Sequence, residues 1–272
     1  MKFKHLKNSG LKGNRKAVSP AISMIIITAI TIVLVLVAGN YAYQVLERQR
    51  AFSEFDAVNK SFMAFDDAVR DIAWEKGGTR YARFTLNYGV LEVIPAGAVK
   101  GLYINLTVEE YPNVNYTGFT GYIRYNLSTR YITFGNGYKS YLFGDNKTII
   151  SRSVENFGTA LIEQRSSWVS LTLYYRVKVS RTSVVEVGND IINYVEILII
   201  KITSKRQLAH KGNIDLTARN QDVTTKSYGP YDAGNNCTVS VSIGGLRNTK
   251  SVDLTPGKVV FNMVVSEIWV GA

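Results

Sequence analysis

Residues 17–46 read AVSPAISMIIITAITIVLVLVAGNYAYQVL, thirty consecutive positions without a charged side chain. The heart of the run, residues 21–38, is interrupted only by Ser23, Thr28 and Thr31. Small hydroxyls bond back to the preceding turn of a helix, so they do not keep it out of lipid. The run exceeds the roughly 20 residues a helix needs to cross a bilayer. Each large apolar side chain left in water costs about 1.5–3 kcal/mol. The stretch therefore demands lipid, copies of itself or another partner, and it sets the N-terminal part of the fold as a long apolar helix.

The sixteen residues before it carry Lys2, Lys4, Lys7, Lys12, Arg15 and Lys16 and no acid. Such an imbalance holds the N-terminus on the cytoplasmic side and sends the residues after Leu46 across the membrane. The 272-residue chain has a net charge of +11, and those six side chains supply more than half of it. The basic character thus speaks of membrane orientation, and no basic-aromatic motif points to nucleic acid. Cys237 is the only cysteine, which excludes an intrachain disulfide and a paired-cysteine metal site.

Three fates of the leader are compatible with these residues. It is an uncut single-pass anchor, or a secretory signal removed near Val37-Ala38-Gly39, or it is cut before the apolar run with the helix retained. A run this long with so poor a small-residue site disfavours the second. For the third, the join reads RKAVSPAIS. A basic and a small residue, Lys16 and Ala17, precede the cut, and Val18-Ser19-Pro20 would open the mature chain. This segment resembles the class III signal peptides of archaeal type IV pilins and pilin-like proteins. The resemblance implies processing by a prepilin peptidase and assembly with other pilin-like subunits, identical or different, through the retained helix. Ser19 suits a helix N-cap and Pro20 the first helical turn, where its missing N–H costs nothing. Bacterial members of the wider group commonly carry Glu at the fifth mature position; here it is Ile22. Packing would then be set by shape and by small residues such as Ala29, Ala38 and Gly39.

The helix is expected to continue. No proline occurs between Pro20 and Pro95 and no glycine between Gly39 and Gly77. Phe52, Phe55, Val58, Phe62, Phe65, Val69 and Ile72 recur at helical spacing. Arg50, Glu54, Lys60, Asp67 and Arg70 fall on the other faces, and Gly77-Gly78 is a natural stop. One helix from Pro20 to about Trp74 would be roughly 80 Å long. The Phe stripe is expected to pack on the chain's own β domain rather than on neighbouring subunits.

From Thr79 the pattern becomes short β-branched and alternating runs. TRYARFTL and GVLEVIP flank Asn87-Tyr88-Gly89 and read as a hairpin. Gly135-Asn136-Gly137, between RYITF and YKSYLF, and Asp232–Asn235 are turn signals. The fold class read from the sequence is α+β: a long N-terminal helix, transmembrane then amphipathic, followed by a mainly antiparallel β-sandwich-like domain. The expected organisation is a leader over 1–17, a transmembrane or filament-core helix over 18–46, an amphipathic stem over 47–76, and an extracellular β-rich domain over 79–272. A subdivision is expected near 204–212, where SKRQLAHKG is polar and basic.

Catalysis finds little support. After processing, His210 would be the only histidine, and it reads as a solvated loop residue. No nucleophile elbow, phosphate loop or zinc-binding helix pair occurs. Asp66-Asp67, Glu109-Glu110 and Asp190 read as surface carboxylates. Gly144-Asp145-Asn146 and Asp232–Asn236 are oxygen-rich loops, but ordinary turns explain both, so no metal site, cofactor or small-molecule substrate is expected. Six Asn-x-Ser/Thr sequons, at Asn59, Asn105, Asn115, Asn126, Asn146 and Asn236, are candidate glycosylation sites. Four lie between 105 and 146, suggesting one sugar-coated face. Tyr111, Tyr116, Tyr122, Tyr125 and Tyr131 are candidates for adhesion or subunit contact. The leading expectation is a non-enzymatic filament subunit of the cell surface; the alternative is a permanently anchored single-pass protein displaying a β domain.

Overall fold

The computed structural model describes residues 19–97, 99–151, 156–188 and 190–272. The chain divides into two units between Glu47 and Arg48. One helix, α1 (Ser19–Ile72), contributes to both; its 54 residues hold no helix breaker beyond Pro20 and Gly39. In the first unit every side chain from Ile22 to Leu46 is exposed.

In the second unit Phe55, Val58, Phe62, Phe65, Val69 and Ile72 are all buried, as the helical spacing requires, while Phe52 remains half exposed. They face the chain's own β domain, as expected. Fourteen strands complete the described residues: β1 (Thr79–Ile94), β2 (Leu102–Val108), β3 (Asn115–Thr120), β4 (Tyr122–Ser128), β5 (Lys139–Phe143), β6 (Ile149–Ile150), β7 (Gly158–Arg165), β8 (Trp168–Tyr175), β9 (Val177–Val187), β10 (Asp190–Thr203), β11 (Leu208–Ala233), β12 (Asn236–Ile243), β13 (Leu246–Asp253) and β14 (Gly257–Gly271). Ten of them form one sheet in the order β5-β7-β8-β4-β1-β11-β14-β10-β9-β6, and four form a second, β13-β12-β2-β3. Pairing is antiparallel except for β10 with β14 and β6 with β9.

Strand periodicity divides the large sheet between two cores. In β10, Ile200 and Ile202 join the helix residues, whereas Val195, Ile197 and Ile199 join the four-stranded sheet. In β14, Ile268 and Val270 face the helix, and Val259, Phe261 and Met263 face the small sheet. The fold is thus α+β, with a sandwich-like pair of sheets and the amphipathic half of α1 as a third layer. Only Arg176 separates β8 from β9, although five strands lie between them in the sheet order. The large sheet therefore curls back on itself.

Three expectations are corrected. TRYARFTL and GVLEVIP are not a hairpin but one strand, β1, which runs antiparallel to β11 on both sides of a register shift between Leu86 and Leu91. RYITF is not a strand: Phe134 and Gly135 instead donate their N–H groups to the buried Gln164 side chain. No domain boundary falls at 204–212, because β11 starts there and lies between β1 and β14 in the middle of the sheet.

Candidate functional site: an exposed apolar helix and its buried carboxylate anchor

In the apolar half of α1 both threonine hydroxyls bond back to the helix. Thr28 Oγ1 donates to Met24 O at 2.9 Å and Thr31 Oγ1 to Ile27 O at 2.8 Å. Gln44 Nε2 donates to Asn40 Oδ1 at 3.4 Å. With the backbone and both threonine hydroxyls bonded within the helix, the outward surface from Met24 to Val37 is dominated by hydrocarbon. Among the described residues α1 is the one helix long and apolar enough, by length and composition, to cross a membrane. Of the processing residues, Lys16, Ala17 and Val18 lie outside the described residues; Ser19 and Pro20 are the first two residues of α1.

Beyond the apolar half, the helix is tied to the sheet by polar contacts at three levels. At the first, Glu54 is buried, not on the solvent face where its spacing placed it. Its carboxylate accepts three successive backbone N–H groups: Asn87 at 2.5 Å, Tyr88 at 3.0 Å and Gly89 at 2.9 Å. Tyr125 Oη adds a fourth donor at 2.8 Å. This explains the register shift in β1, since Asn87–Gly89 turn their N–H groups to the carboxylate instead of continuing the ladder. Gly89 admits no side chain, because a Cβ would stand 2.2 Å from the Tyr125 ring. Burial, then the hydrogen bond and charge of Glu54, push the Tyr125 phenol pKa upward.

At the second level, Asp66 is buried among Tyr175, Gly158 and the helix, and its Oδ1 has no hydrogen-bond partner. The Tyr175 hydroxyl neighbours it without closing a well-aligned hydrogen bond. Arg70 Nε is 3.4 Å from its other oxygen. Burial outweighs the Arg70 charge and raises the Asp66 pKa to about 6. At the third level, Asn220 of β11 closes the C-terminus of α1, its Nδ2 donating to Ile72 O at 2.8 Å and Ala73 O at 2.9 Å. Carbonyls in the last turn of a helix lack partners within it, and here a residue 148 positions away supplies them.

The remaining sequence candidates scatter. Asp66 is not a surface carboxylate, whereas Asp67 is exposed and pairs with Arg70. Glu109, Glu110 and Asp190 are exposed as expected, Glu110 accepting the Thr238 N–H at 2.7 Å. His210 is not in a loop but in β11, half-buried, with its Nε2 enclosed. In the oxygen-rich loops, Asp145 receives Arg176 Nη1 at 2.6 Å and Asp232 receives Lys258 Nζ at 2.7 Å. Among the described residues no three His, Cys, Asp or Glu side chains converge. Burial pushes the Cys237 thiol up to about 12.

The tyrosines do not form one contact surface. Tyr125 is buried against Glu54, Tyr122 is also buried, Tyr111 stacks on Tyr231, and Tyr131 packs on Tyr88. The sequons divide by exposure. Asn105, Asn115, Asn146 and Asn236 are exposed. Asn59 lies half-buried on α1 with its Oδ1 enclosed, and Asn126 donates its amide to Glu92 at 3.0 Å.

Sequence reasoning missed Glu54 and Asn220. Neither carries a local signal: Asn220 stands between Arg219 and Gln221, and Glu54 between Ser53 and Phe55. Comparison with protein families, curated proteins and solved structures yields no match to this chain, so its reading rests on the exposed helix and what ties it down.

Proposed function

We infer that this protein is a pilin-like subunit of an archaeal type IV pilus-type surface filament, with the apolar half of α1 serving first as membrane anchor and then as assembly surface. The observation that carries this reading is the uninterrupted exposure of Ile22 to Leu46 in a helix whose threonine hydroxyls are already bonded. Lipid and sister helices are nearly equivalent surroundings for such a surface, so moving between them costs little. The basic leader and RKAVSPAIS support it further, with the N-terminus held in the cytoplasm and the β domain outside. The β domain is large beside the helix, which suits a minor, tip or adhesive subunit as well as a shaft subunit.

Mass-spectrometric reading of the N-terminus of native protein tests the proposal. A mature chain starting at Val18, lost in favour of the uncut precursor on Lys16→Ala, is the expected result. A displayed chain that retains its leader would make the protein a permanent single-pass anchor instead. A start downstream of Gly39 would remove the helix and overturn both.

A further inference from the structure

The four-stranded sheet covers only part of the large sheet's outer face. Beyond the β12–β13 turn at Gly244, the outward residues of β4, β5, β7 and β8 line a groove of about 340 Å³. Pockets that hold small ligands begin near this size, at about 300 Å³. Its lining is net cationic: Arg124 and the exposed Lys139 and Arg165 accompany one carboxylate, Glu163. Lys139 and Arg165 share Glu163 at 3.2 and 2.8 Å. Burial raises the Glu163 pKa, but the hydrogen bonds from Arg165 and Lys139 outweigh it and hold the carboxyl below its usual range.

Arg124 is different. It is half-buried, hydrogen-bonds the Tyr122 hydroxyl and lies 5.0 Å from that ring's centroid. Glu92 sits opposite it across the β1–β4 pair but bonds Asn126, and no ion pair joins it to Arg124 among the described residues. A half-buried guanidinium keeps free donors in a planar fork that matches a carboxylate. Around it the groove offers two other kinds of surface. Thr172 presents a hydroxyl beside the largely buried Tyr174, and Leu102, Ile243 and Leu246 form an apolar wall. A ring with hydroxyls on its rim, C–H bonds on its face and one carboxylate meets all three.

We propose that this groove binds an acidic sugar, its carboxylate held by Arg124 and its ring seated against the β12–β13 turn. The proposal does not depend on filament assembly. The net positive lining draws the anion in and makes binding weaken with salt.

Calorimetric titration of the full chain in detergent micelles tests it, with glucuronic acid, glucose and inorganic phosphate as probes. Glucuronate is expected to bind saturably and at least about tenfold tighter than glucose or phosphate, as a charge-assisted pair in a half-buried site predicts. Arg124→Gln should weaken it about tenfold or more, and the more exposed Lys139→Gln a few-fold, roughly two to five. Thermal unfolding of both variants separates a lost contact from a lost fold. Equal binding of glucose and glucuronate, phosphate binding as tight as glucuronate, or unchanged affinity in both folded variants would overturn the assignment.

Discussion

A single oxygen illustrates how the interior constrains the helix. Asp66 Oδ1 is buried without a hydrogen bond, and its carboxyl titrates near 6 in the folded protein against 3.8 in an unfolded chain. Between those two values the folded state keeps a proton that the unfolded state has released. Stability therefore falls as pH rises through this window, and the whole loss, at most about 3 kcal/mol for roughly two units, persists above it. Below 3.8 both states are protonated and the site contributes nothing. Asp66→Asn should flatten that slope and raise stability at neutral pH; urea unfolding of both proteins at about pH 4 and pH 7.5 reads the difference, and identical slopes would refute it. Glu54 shows the opposite solution, a buried carboxylate supplied with four donors. Neither side chain was legible as buried from the sequence. The spacing set Glu54 off the apolar stripe and Asp66 read as a surface carboxylate, and only partners on β1, β4 and β8, distant in the chain, make an inward turn tolerable.

At the level of the element, α1 was readable almost from end to end. Its apolar run, its Phe stripe and the absence of Gly and Pro are local signals, and the helix ends two residues before the position expected. The strands were less readable where local chemistry served a distant group. Asn87-Tyr88-Gly89 has turn composition, yet its backbone goes to Glu54 and the strand continues. RYITF has strand composition, yet its partner is the Gln164 side chain. The two halves of α1 predict contrasting responses to substitution. Val33 is exposed in the first unit, so Val33→Arg removes no packing inside the protein. On the membrane-insertion scale an Arg near a helix centre costs about 2.5–3.5 kcal/mol. The variant should lose membrane association in fractionation experiments while the β domain melts at its original temperature. A matching fall in melting temperature would show that the segment packs within the molecule.

For the molecule as a whole, the sequence conveyed class but not connectivity. Mainly antiparallel pairing follows from many short strands and turns, whereas the parallel β10–β14 pair and the central place of β11 depend on contacts that no local pattern encodes. The same global arrangement sorts the sequons. Asn105 and Asn115 lie on neighbouring strands of the small sheet, both exposed and diagonal to each other, with Asn105 opposite Thr117 and Asn115 opposite Thr107. Glycopeptide mass spectrometry of native protein should find sugar there and none at Asn59 or Asn126, whose amides are enclosed or engaged. Modified Asn126 would mean that the Glu92 contact opens before the domain closes. The position of β14 carries a temporal consequence. Residues 257–271 fill the slot between β10 and β11 and bring Ile268 and Val270 against the helix stripe. Until that segment has been synthesised, the stripe has an incomplete mate and β10 and β11 lack a neighbour. Completion of β14, rather than emergence of the first strands, is therefore the moment at which this domain can settle.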